Sequence, residues 1–86
     1  MGIAITKEYK KLLAKFNVSH GERVRKGSYG IGFIVGYTMN KYGVALILAP
    51  ERRIENSWTM LTSDDHVDES IKSKYGYMYA VDVRKI

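Results

Sequence analysis

The chain has 86 residues, no cysteine, and fourteen Lys and Arg against nine Asp and Glu, for a formal net charge of +5. That length supports one domain, residues 1–86, and the 45% apolar share places it with folded rather than disordered chains. The missing cysteines exclude disulfides, thiolate zinc sites and a thiol nucleophile, and no apolar run nears the ~20 residues that span a bilayer.

A soluble, cytoplasmic protein with no stable membrane association is therefore expected. The charge is unevenly placed. Residues 1–26 carry seven Lys and Arg against Glu8 and Glu22, whereas residues 27–86 balance seven against seven. A concentrated positive field attracts polyanions or acidic protein faces.

Thr6 is a helix N-cap, and Tyr9, Leu12, Leu13 and Phe16 recur at helical spacing behind it. An amphipathic helix is predicted over 6–17, with Lys7, Lys10, Lys11 and Lys15 on its polar side. So short a helix needs a partner to be stable in water, and the open end of a barrel is the expected one. Residues 21–86 then read as strands. Val24 points inward between Arg23 and Arg25. Gly27 to Gly32 is a glycine-rich loop, and Phe33 to Met39 is a strand bent at Gly36. Asn40-Lys41-Tyr42-Gly43 is a hairpin turn. Val44 to Ala49 is nearly all apolar and so central, and Pro50 ends it. A strand is predicted from Ile54 to Leu61, with Trp58 its largest buried side chain. Thr62 to Lys74 is a polar loop with room for one helical turn. One or two further strands fill Tyr75 to Ile86. The expected fold is mainly β: a small SH3-like barrel of four to five antiparallel strands with an N-terminal amphipathic helix.

The glycines at 27, 30 and 32 are followed by a strand and not by the helix a phosphate loop requires, so they read as a connector. Asp64, Asp65, His66, Asp68 and Glu69 lack the spacing of a calcium loop and read as a solvated acidic loop. His20, before Gly21, reads as a turn residue, and neither histidine sits in a nucleophile–base pattern. No catalytic, cofactor or metal residue is assigned. Tyr75, Tyr77 and Tyr79 alternate, which puts their rings on one strand face. Exposed, that face is a stacking platform for bases; buried, it is core. With Arg23, Arg25, Lys26 and Tyr37, and with Lys7 and Lys11 adding phosphate contacts, the combination suits single strands of RNA or DNA.

The run Gly21-Glu22-Arg23-Val24-Arg25-Lys26, with Ser28, Gly32, Ile34-Val35-Gly36-Tyr37 and Tyr42-Gly43-Val44, resembles the plasmid-borne type II dihydrofolate reductases. A fainter likeness lies at Tyr79-Ala80-Val81 and Arg84-Lys85-Ile86. The resemblance implies an SH3-like barrel and a phage or plasmid accessory protein. It also implies an NADPH-binding homo-oligomer in which Lys26 is a pore lysine and Tyr79 a pore tyrosine. The family's pore glutamine has no counterpart in Gly76-Tyr77-Met78-Tyr79, and residues 52–74 and the helix have none in the family. The fold is therefore carried over and the activity is not. The expected function is a non-enzymatic binding barrel for nucleic acid. The alternatives are a phage-type protein-interaction module that inhibits a host protein through an acidic face, and a reductase-like oligomer.

Overall fold

A computed structural model describes residues 3–27, 30–55 and 60–86. Among the described residues one helix, α1 (Lys7–Phe16), precedes six antiparallel strands: β1 (Arg23–Arg25), β2 (Ile31–Asn40), β3 (Gly43–Pro50), β4 (His66–Val67), β5 (Met78–Ala80) and β6 (Arg84–Lys85). The protein is mainly β, as its sequence indicates; β2 and β3 run longer than expected and the last two strands shorter.

α1 forms where its capping residues place it. Thr6 accepts from the Tyr9 N–H at 3.3 Å, and Glu8 and Lys15 sit at the ends of the helix dipole that favour their charges. Asn17, at φ 54°, turns the chain left-handed. Its N–H bonds to Ala14 O and that of Val18 to Leu13 O, so a Schellman motif ends the helix with Leu13 and Val18 both buried.

The strand order is β5-β3-β2-β1-β6. β2 lends one edge to β3 and divides the other between β1, paired along Ile31–Phe33, and β4, paired at Gly36 and Tyr37. Only Val81, Asp82 and Val83 link the two outermost strands, β5 and β6. Such a link reaches at most ~14 Å, while four strand spacings of a flat sheet measure ~19 Å. The sheet is therefore curled, with its two edges drawn together by the chain.

Each face carries an apolar cluster. On the inner face, Tyr9, Leu12, Leu13 and Val18 pack on Val24, Ile34, Tyr37, Leu46, Leu48, Met78, Ala80 and Val83. On the outer face, Val35, Ile47, Ala49 and Tyr77 are covered by Leu61, Val67, Ile71 and Tyr79. Segment 60–77 thus caps the half of the outer face formed by β2, β3 and β5. The half formed by β1 and β6 stays open.

Three sequence expectations change. Ile54, Glu55, Met60 and Leu61 are not in a strand, and Trp58 lies outside the described residues. Segment 62–74 holds the one helical turn expected of it, a 3₁₀ turn at Glu69–Ile71 capped by the Asp68 carboxylate, but also β4, which was not expected. The last tyrosine run becomes strand only from Met78, because Gly76 at φ 90° turns the chain before it.

Candidate nucleic-acid interface

β1 alternates strictly: Val24 is fully buried and Arg23 and Arg25 are exposed on the outer face. β6 pairs with it so that Arg84 stands directly opposite Arg25. On the other side, Arg25 faces Ile31, whose carbonyl accepts from the Glu51 N–H at 2.9 Å. One row across the sheet therefore reads Arg84, Arg25, Ile31, Glu51, and Arg52 and Arg53 follow at once in the turn after β3. Three of the five arginines, Arg23, Arg25 and Arg84, stand on this open half, and Arg52 and Arg53 line a cleft together with Arg23. Like charges directly opposite in a sheet repel, and among the described residues neither Arg25 nor Arg84 has a carboxylate partner.

Arg23 differs. Its Nε donates to Glu51 Oε1 at 2.7 Å and a terminal nitrogen donates to Oε2 at 3.1 Å. This forked hydrogen bond raises the Arg23 pKa and holds the Glu51 carboxyl below its ordinary value, the latter helped by the charges of Arg23 and Arg52. The pair is exposed and screened by solvent, so it orients more than it stabilises. Beside it opens a cleft of about 360 Å³ lined by Arg23, Gly30, Ile31, Glu51, Arg52, Arg53 and Ile54.

The residues singled out from sequence divide accordingly. Arg23 and Arg25 are on the arginine face, with the half-buried Lys26 next in the chain. Lys7 and Lys11 are exposed on α1, which packs on the inner face, so they stand on the opposite side of β1 from the arginines. The tyrosines do not form an open platform. Tyr37 is 1% exposed, stacked between Tyr9 and His66 at centroid distances of 4.8 and 4.6 Å. Tyr77 is buried and Tyr79 half-buried in the outer cluster, and Tyr75 is half-buried outside the strand. The exposed-platform reading is corrected because segment 60–77 supplies these rings with apolar neighbours and hydroxyl partners. The Tyr79 hydroxyl donates to Asp65 Oδ2 at 2.8 Å, and that of Tyr77 accepts from the Ser73 N–H at 3.3 Å. Burial, then the bond to Asp65 and its charge, push the Tyr79 hydroxyl up to about 12.

The acidic loop is likewise not simply solvated. Burial would raise the Asp65 carboxyl, yet donors from Thr62, Thr38 and Tyr79 hold it below its usual value. Asp68 is 4% exposed. Its Oδ1 accepts from the Ser70 hydroxyl at 2.6 Å and the Ser70 N–H at 3.0 Å, and its Oδ2 meets His20 Nε2 at 2.8 Å. Ser70 first and His20 second lower its pKa to about 2.

His20 carries more than a turn. Its Nδ1 lies 2.5 Å from the Tyr9 hydroxyl, so one neutral ring accepting at Nδ1 and donating from Nε2 satisfies both partners. Burial first, and then the charge of Asp68, push Tyr9 above the ordinary tyrosine range. Tyr9 is fully buried and His20 half-buried, and this Tyr–His–Asp chain acts as a clasp between α1, the turn before β1 and segment 66–71. No sequence spacing announces it; only its three polar residue types were visible. Among the described residues no group of three or more His, Asp and Glu is arranged to hold a metal. No protein family, curated protein or solved structure matches the chain.

Proposed function

We propose that the chain is a non-enzymatic binding barrel that contacts nucleic acid, RNA or DNA, through the open arginine half of its outer face. The observation that carries this reading is Arg25 directly opposite Arg84, with Arg23 two residues along and Arg52 and Arg53 at the end of the same row. Arranging like charges across a ladder costs stability, and a polyanion laid over them removes that cost. Guanidinium groups suit phosphate because their planar fork donates two parallel hydrogen bonds. With Tyr37 and Tyr77 buried, affinity comes from phosphates rather than from rings stacked on bases. The reductase-like alternative rests on Lys26 and Tyr79, and the Tyr79 hydroxyl is already engaged by Asp65.

Fluorescence anisotropy with labelled twelve-nucleotide RNA and DNA tests the proposal. About four phosphate contacts give a salt slope near −3 for a single strand, so affinity falls about fifty-fold between ~50 and ~200 mM salt. No binding at the lower salt refutes it. Binding of a nuclease-treated host protein in its place would favour the interaction module.

A further inference from the structure

The cleft beside the Arg23–Glu51 pair has walls of two chemistries. Ile31 and Ile54 are half-buried apolar surfaces, and Gly30 contributes bare backbone between them. Gly30 sits at φ 118°, and a side chain there would come within 2.9 Å of Ile54 Cδ1. Glycine therefore keeps this wall low and holds a conformation other residues rarely adopt. Three arginines and one glutamate complete the lining. The carboxylate's hydrogen bonds go to Arg23, and among the described residues Arg52 and Arg53 have no ion-pair partner. A volume of about 360 Å³ lies at the small end of clefts that take small organic ligands.

A site for phosphate alone needs no apolar floor. A duplex keeps its base faces stacked inside and offers only its backbone and groove edges. An unpaired nucleotide offers a flat, weakly polar base together with a phosphate on either side. Resting on the nucleic-acid reading above, we propose that the cleft seats one nucleotide of a single strand. Its base lies against Ile31 and Ile54 and its two flanking phosphates on Arg52 and Arg53. The strand then continues over Arg25 and Arg84, which share a row with the cleft. The protein thus prefers single strands to duplex.

Two measurements on the full chain test this. In anisotropy, a thymidine 12-mer binds about tenfold tighter than a 12-base-pair duplex at equal salt, a difference of ~1.4 kcal/mol. Ile54→Ala brings the two affinities together, while Arg25→Ala weakens both alike. In amide NMR, thymidine 5′-monophosphate shifts the signals of Gly30, Ile31 and Ile54, and inorganic phosphate at the same concentration does not. Equal affinity for single strand and duplex, with the salt dependence retained, overturns the cleft and leaves the wider reading standing. So does a phosphate titration that reproduces the nucleotide's shifts. Failure to bind either nucleic acid at low salt overturns both. The NMR arm does not depend on any variant, so a folding defect in Ile54→Ala leaves the proposal open to refutation.

Discussion

His20 shows how much one residue changes meaning between sequence and structure. In the sequence it is a polar residue ahead of a glycine. In the folded chain it joins Tyr9, eleven residues before it, to Asp68, forty-eight after it. Removing only the Tyr9 hydroxyl tests the clasp. Tyr9→Phe keeps the stacked rings and leaves His20 Nδ1 without its donor, and a loss of about 1–2 kcal/mol is expected from the urea midpoint. Asp68 sets an acid limb on stability. Its folded pKa is about 2, below the ordinary 3.8. A depressed carboxylate contributes stability that is complete above the unfolded value and is lost as pH falls through the folded one. The urea midpoint should therefore fall as pH drops from about 3.8 toward about 2. Asp68→Asn should lower stability near neutrality and flatten that limb, with Asp65 responsible for part of what remains. A limb of unchanged depth in Asp68→Asn would contradict the assignment.

At the scale of elements, β2 organises the rest. Its register against β3 slips between Ile34 and Gly36, which sets Val35 outside the ladder as a bulge. The freed Val35 carbonyl accepts from the Asp68 N–H at 2.7 Å, and just beyond it β4 takes over the edge that β1 has left. Gly36 permits this because a methyl group there would collide with the His66 carbonyl oxygen, which belongs to paired backbone and cannot move aside. The bend at Gly36 was legible from a lone glycine in a β-branched run; the strand lying against it was not, because His66-Val67 is too short to show periodicity. Gly36→Ala should cost about 2–3 kcal/mol. It should also loosen segment 60–77, seen as faster amide exchange at Val67 and Asp68. A neutral substitution would show that β4 does not bear on this position.

At the scale of the molecule, the curled sheet buries its inner face under α1 and half of its outer face under segment 60–77, and Arg23, Arg25 and Arg84 occupy what is left. This layout sets stability against binding at Arg84. Arg84→Glu replaces a repulsive pair with an attractive one, so thermal stability should rise slightly, by a few tenths of a kcal/mol. Affinity for nucleic acid should fall several-fold, and the salt slope should become shallower by about one contact, ~0.7 for a single strand. A variant that gains stability and keeps full affinity would remove Arg84 from the interface. The surplus of basic residues in the first 26 positions pointed to a charged face, but it gave equal weight to α1 and β1. Pairing with β6 and the turn after β3 brings in Arg84, Arg52 and Arg53 from the part of the chain whose charges balance.

The sequence by itself determined the helix from its cap to its apolar stripe, the β2–β3 hairpin, the alternation of β1 and the mainly β character. These are local properties, written in neighbouring residues by backbone preference and by the periods of helix and strand. Only the tertiary structure decided which face of the late strand is covered, which acids are engaged, and that Arg23, Arg25 and Arg84 share one surface. Those outcomes depend on which distant segments pair and pack, and no short window of sequence carries the register that brings Arg84 opposite Arg25 or lays residues 60–77 over the tyrosines.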